Sequence, residues 1–150
     1  MATDRKAEVT WRGDLMGGSG RIDSVTSGAF GGLDVDWRAR SEDAGSKTSP
    51  EELIAAAHAA CYAMSLASEL SDAGSPPEHL DVRATVTLDQ VEDGSHRIVA
   101  SELLARARVI GVGQQTLERL AKSASEGCPF SRLIEASAQV TVNATLEGES

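Results

Sequence analysis

Two cysteines, Cys61 and Cys128, are the residues whose chemistry could define this chain, and they lie far apart in it. A thiol is a nucleophile only as thiolate, and an ordinary cysteine with a pKa of about 8.5 is mostly protonated at neutral pH. Cys61 sits on an apolar stretch where burial would raise that value further, so it can react well only if a fixed cation reaches it. Arginine suits the task better than lysine, because its planar fork keeps its charge when desolvated and can contact sulfur and a peroxide oxygen together. Arg38 and Arg40 stand upstream as thiolate partners, with Glu51 at the start of the helix that carries Cys61. Cys128 precedes Pro129, which restarts a helical turn through Phe130, Leu133 and Ile134, so it falls at or near an N-cap where the helix dipole favours a thiolate. By local features Cys128 is the easier thiolate, and the residues alone leave the roles of the two cysteines open. Two inert core cysteines are the bland alternative. His58, one turn before Cys61, is read as a histidine satisfied by local packing rather than as a general base. No Cys-x-x-Cys or His-x-x-x-His spacing supports a metal site. Cys128-Pro129-Phe130-Ser131 resembles a one-cysteine thioredoxin-type motif, yet no parallel βαβ pattern surrounds it.

The element that must position Cys61 is the best-marked helix of the chain, Ser49 to Leu70. Ser49 can cap it, Pro50 fits its first position, and Glu52 can close a capping box back onto Ser49. Leu53, Ala57, Ala60, Cys61, Met64 and Ala67 recur at spacings of three and four, which predicts an inward-facing thiol on a face of small residues. A second helix spans Gln114 to Ser125, with Leu117, Leu120, Ala121 and Ala124 on one face, ended by Gly127.

Strands fill the rest. Lys6 to Arg12 and Arg21 to Thr26 flank the Gly17-Gly18-Ser19-Gly20 cluster, read as a hairpin loop rather than a phosphate loop, since no Gly-Lys-Ser/Thr follows it. Leu33 to Arg40 alternates as a third strand with Arg40 at its end. Leu80, Val82, Ala84, Val86 and Leu88 give the clearest period-two pattern, Asp93-Gly94 marks a tight turn, and the return strand runs from about Arg97 to Val109. Its apolar parity switches, which predicts a bulge near Ser101 to Leu103. Gln139 to Leu146 is the last strand. The order β-β-β-α-β-β-α-β predicts an α+β fold of antiparallel strands packed on two helices, in one domain spanning residues 1–150.

With aromatic residues at only 3%, the core must be Ala, Val, Leu and Ile, and such a core often completes its burial by subunit association, so an oligomer is expected. The net charge of −9 argues against nucleic acid or an anionic membrane surface as partner, because both need a basic face to release counterions. No apolar run approaches a membrane span and the N-terminus lacks a signal-peptide core, which together predict a cytoplasmic protein. In that reducing compartment a cysteine pair is inert core or redox-active rather than a structural staple.

The run Thr48-Ser49-Pro50-Glu51-Glu52-Leu53-Ile54-Ala55-Ala56-Ala57-His58-Ala59-Ala60-Cys61, followed far downstream by Cys128-Pro129-Phe130-Ser131, resembles the signature of the OsmC/Ohr family of osmotically inducible and organic hydroperoxide resistance proteins. The resemblance extends from Trp11-Arg12-Gly13 to the final strand, and His58 with Met64-Ser65 is more similar to the OsmC branch. It implies an intertwined homodimer of antiparallel sheets around central helices, and thiol-dependent reduction of organic hydroperoxides, with hydrogen peroxide as an alternative substrate. It implies a peroxidatic Cys61 and a resolving Cys128. No cofactor is bound on this reading, and the electrons come from an external dithiol such as dihydrolipoamide or a lipoylated protein. The family's catalytic arginine maps onto Arg40 in Arg40-Ser41-Glu42, with Arg38 and Arg21 as alternatives, and Glu51 maps onto the carboxylate that orients it. A noncatalytic dimer holding a small apolar ligand beside Cys61 is the competing function.

Glu51 and Cys61 are ten residues apart in one helix, about 15 Å along its axis at 1.5 Å per residue, too far for a carboxylate to span. If Glu51 serves the site of Cys61, the helix breaks between them or Glu51 comes from another subunit. The segment has no Gly or Pro at which to break, so a site shared between two chains is expected.

Overall fold

Asp36 decides how the chain reaches its central helix. Its carboxylate accepts from the Ala39 amide at 2.7 Å and caps a short helix, so the third strand stops early. The computed structural model describes residues 1–147. Its elements are β1 (Ala7–Arg12), β2 (Ser19–Val25), β3 (Leu33–Val35), α1 (Trp37–Ser41), α2 (Pro50–Asp72), β4 (His79–Gln90), β5 (His96–Arg108), α3 (Gln114–Gly127), α4 (Pro129–Glu135) and β6 (Gln139–Leu146). The fold is α+β, as the sequence implies, but with four helices among the described residues in place of two. Arg40 therefore stands in a helix and not at a strand end. The chain divides into two compact units inside α2, one ending at Leu53 and one beginning at Ile54.

The first unit is an antiparallel sheet in the order β1-β2-β3. Gly20, expected in the hairpin loop, lies in β2 opposite Trp11 and Val35. A Cβ there would stand 2.6 Å from the Trp11 ring and 2.9 Å from Val35, so only glycine lets that indole lie across the strand. The loop itself is closed by Asp14, whose carboxylate accepts from the Gly17 amide at 2.7 Å. Thr48 bridges to Val35, and the chain then enters α2. The Ser49 hydroxyl caps the Glu52 amide at 3.1 Å, as the sequence predicts. The reciprocal half of the box differs, because the Glu52 carboxylate accepts from the Thr48 hydroxyl at 3.1 Å.

The second unit packs α2 and α3 on a sheet of order β4-β5-β6. Its buried helix face is not the one the small residues suggest. His58, Tyr62, Leu66 and Leu70, each four residues on from the last, are fully enclosed, whereas Ala60 is exposed and Met64 is 74% exposed. The bulky series fills the space above the sheet, and Cys61, one position from Tyr62, is left half-buried on the flank of that stripe. By length and composition α2 could cross a membrane, contrary to the expectation that no run approaches that limit. Here it is a core helix, packed through Tyr62, Leu66 and Leu70 onto Leu103, Ala105 and Ala107 of β5 and onto Leu117 and Ala121 of α3. Burying each of those leucines stabilises the fold by about 1.5–3 kcal/mol. The Tyr62 hydroxyl donates to the Ala121 carbonyl at 3.0 Å, so this enclosed aromatic ring leaves no polar atom unpaired.

β4 and β5 are antiparallel over their full length, from the His79–Arg108 pair to the Gln90–His96 pair. The bulge falls at Val99 rather than near Ser101 to Leu103: Thr87 faces Ala100 and Leu88 faces Ile98. From there Ser101, Leu103, Ala105 and Ala107 all point into the core. β6 is parallel to β5, which corrects the expectation of an all-antiparallel sheet. Two helices in the connection carry the chain back to its starting end, and a strand that follows such a crossover runs parallel.

Candidate active site

Cys128 terminates α3 and is the N-cap of α4, with Pro129 at the first helical position. Its amide bonds to the Ser125 carbonyl at 3.2 Å, and its carbonyl accepts from the Arg132 amide at 3.1 Å. The sequence reading of that turn holds. The turn delivers the Cys128 sulfur to α2, where it lies 3.4 Å from the sulfur of Cys61, and both thiols are free. Residues far apart in the chain thus form a contact pair, with Cys128 fully enclosed and Cys61 half-buried.

The surroundings push the two thiols in opposite directions. Burial raises Cys61, and the neighbouring Cys128 adds to that, while the Phe130 amide opposes it. Burial also works to raise Cys128, but the Ser131 amide and hydroxyl, the Cys61 thiol and the Phe130 amide together bring it below the usual cysteine value. Cys128 is therefore the easier thiolate within this unit, as its N-cap position suggests.

His58 proves to be a structural centre of the site. Its Nδ1 pairs with the Ser101 hydroxyl at 2.7 Å and its Nε2 with the Ser131 hydroxyl at 2.8 Å. Ser125 reaches the Ser131 oxygen at 3.3 Å. Burial holds the imidazole below its usual pKa, against the opposing charge of Glu135, so the ring is neutral. Sequence reasoning foresaw a locally satisfied histidine but missed both serine partners. One signal was available: Ser101 occupies an inward position of β5 where the alternation calls for an apolar residue.

In the first unit, Arg40 forms a two-pronged ion pair with Glu51. Its Nε donates to both carboxylate oxygens, at 2.9 and 3.2 Å, and its terminal nitrogen lies 2.8 Å from one of them. Glu51 is buried, and the guanidinium stands 5.9 Å from the centroid of the Trp37 ring, within cation–π range. The other two arginines face elsewhere: Arg38 meets Glu42 and Arg21 meets Asp34, both at 3.4 Å and both exposed. Of the three candidates, Arg40 is the one held by Glu51. Helix α2 runs unbroken through Glu51 and Cys61.

Paired thiols on a core helix and a Cys-Pro N-cap, in a mixed fold of small sheets and helices, place the molecule in the OsmC-like class. The model of the OsmC-like protein family matches residues 42–143, and the chain belongs to that family. It is 36% identical over 137 residues to the peroxiredoxin OsmC of Escherichia coli strain K12, covering 91% of this chain and 93% of the relative. It is 26% identical over 111 residues to an organic hydroperoxide resistance protein-like chain of Staphylococcus aureus strain MSSA476, covering 74% and 79%. The greater identity to the OsmC relative agrees with the branch read from the sequence. Among solved structures, the organic hydroperoxide resistance protein OhrB of Bacillus subtilis superposes with a TM-score of 0.74 at 23% identity, covering 93% of this chain and 98% of that one.

Proposed function

We propose that the protein is a cytoplasmic cysteine-based peroxidase that reduces organic hydroperoxides in defence against oxidative stress, and the observation that carries this reading is the 3.4 Å contact of two free thiols. Its relatives are named peroxiredoxin and organic hydroperoxide resistance protein, which supports the reaction class. In the reaction, the Cys61 thiolate attacks the distal peroxide oxygen. The O–O bond breaks, the alcohol leaves with a proton, and Cys61 becomes a sulfenic acid. The Cys128 thiolate then attacks that sulfur, the S–S bond forms as the S–O bond breaks, and the hydroxide expelled takes a proton from solvent to leave as water. An external dithiol, dihydrolipoamide or a lipoylated protein, returns both cysteines to thiols.

Half-burial of Cys61 against full enclosure of Cys128 favours Cys61 as the sulfur a hydroperoxide meets. Its own unit raises its pKa, so the thiolate needs a cation. We assign that role to Arg40, oriented by Glu51. Because α2 is continuous and a carboxylate cannot span about 15 Å along it, the Arg40–Glu51 pair on this reading serves the Cys61 of a second copy in a homodimer. Titrating free thiols before and after one equivalent of cumene hydroperoxide tests the function. Loss of two thiols per chain is expected, and no loss would favour the noncatalytic binding dimer.

A further inference from the structure

His58, Ser101, Ser131 and Cys128 are all fully enclosed and come from α2, β5 and α4. A neutral imidazole donates through one nitrogen and accepts through the other. Ser131 is the third residue of α4, the position that faces an N-cap side chain, and Cys128 is that N-cap. With Nε2 as the donor, the Ser131 oxygen accepts from His58 and from Ser125, which fills its two acceptor sites, and the Ser131 hydroxyl and amide beside the N-cap both favour the Cys128 thiolate. Nδ1 then accepts from Ser101, so each member of the chain is satisfied in one direction. The other titratable groups that reach this cluster are Cys61 and Tyr62 from α2 and Glu135 from α4. Burial pushes the Tyr62 phenol far up, so it stays neutral.

We propose that Ser131, positioned by His58, makes Cys128 the leaving thiolate when the Cys61–Cys128 disulfide is reduced, so that the reducing thiol enters at Cys61. The step is balanced. A thiolate of the reductant forms a new S–S bond to Cys61, the Cys61–Cys128 bond breaks, and its electron pair goes to the Cys128 sulfur, where the Ser131 proton stabilises it. The better-stabilised thiolate leaves faster, and enclosure of Cys128 independently blocks attack at that sulfur. Approach to Cys61 is open by comparison.

The inference rests on the peroxidase reading only in needing the disulfide, which diamide can install without a peroxide. The diamide-oxidised protein is treated with mercaptoethanol, quenched with N-ethylmaleimide, and mapped by peptide mass spectrometry. Mercaptoethanol is expected on Cys61 and maleimide on Cys128. Ser131→Ala and His58→Leu should each slow this step on the order of tenfold, the scale of one lost hydrogen bond to a charged group. In the Cys61→Ser background both should also move the ultraviolet titration of the Cys128 thiolate to higher pH. Ser131→Thr and His58→Gln, which keep a hydroxyl and a donor, should recover most of both effects. Mercaptoethanol on Cys128 in the wild type, or a folded Ser131→Ala that titrates and reduces like the wild type, overturns the proposal. The wild-type mapping decides even if Ser131→Ala does not fold. Correct mapping in a protein that consumes no peroxide would overturn the peroxidase reading and leave this one standing.

Discussion

The two units handle charge in opposite ways. From Ile54 onward the polar groups at the thiols are neutral and enclosed: a histidine held uncharged, serine hydroxyls and backbone amides, fitted into a core of alanine and leucine. Up to Leu53 the corresponding feature is a full ion pair, Arg40 on Glu51, with the arginine side chain still 35% exposed. A buried neutral network costs little desolvation and specifies geometry, but it cannot stabilise a thiolate as strongly as a guanidinium can. One region aligns the two sulfurs, and the other holds a guanidinium on a buried carboxylate.

That contrast can be broken at several points. Removing the attacking sulfur has the largest effect: Cys61→Ser should abolish peroxide turnover in a coupled assay with a dithiol reductant, and any substantial residual turnover would move the attack to Cys128. Arg40→Met should slow peroxide reduction on the order of 10²–10³-fold, the usual cost of deleting one preorganised electrostatic partner, and shift the pH profile of Cys61 alkylation upward. Arg38→Met and Arg21→Met should leave that profile in place, since those side chains pair with exposed carboxylates. If the ion pair acts across a dimer, co-refolding inactive Cys61→Ser with inactive Glu51→Ala should restore up to about a quarter of wild-type activity, because half the dimers are mixed and each has one intact site. Mixed dimers seen by native mass spectrometry without recovered activity would return Glu51 to the chain of its own cysteine.

The smallest effect concerns stability. The folded state lowers the His58 pKa, so below the ordinary value of 6.5 the unfolded chain binds a proton that the native chain does not. Stability should then fall as pH falls, by at most about 1.4 kcal/mol per unit, until the depressed native value is reached. In urea melts across that window, His58→Gln should flatten the slope, and an unchanged slope would assign the acid sensitivity to other groups.

How much of this was legible in the sequence depended on which interactions are local. The caps at Ser49 and Cys128, the apolar face of α3 and the alternation in β4 rest on neighbours within a few residues, and all were readable. The strand at Leu33 to Arg40 was misread because Asp36 offers both an alternating polar position and an N-cap, and the cap won. The buried face of α2 was misplaced for a different reason. Alanine spacing marks every face of that helix as small, and only contact with β5 and α3 selects His58, Tyr62, Leu66 and Leu70. The parallel β6 and the serine partners of His58 are long-range facts of the same kind. For the site itself, the sequence named Cys61, Cys128, Arg40 and Glu51 as candidates, while the contact of the two sulfurs and the pairing of Arg40 with Glu51 came from the fold.

The central claim is that Cys61 takes the oxygen and Cys128 resolves it. Cys128→Ser protein should be mixed with one equivalent of cumene hydroperoxide in the presence of dimedone and analysed by peptide mass spectrometry, with Cys61→Ser protein run alongside. The account predicts a dimedone adduct on Cys61 in the first protein, formed within a single fast phase, and no adduct on Cys128 in the second. A fast adduct on Cys128 with an unmodified Cys61 would contradict it.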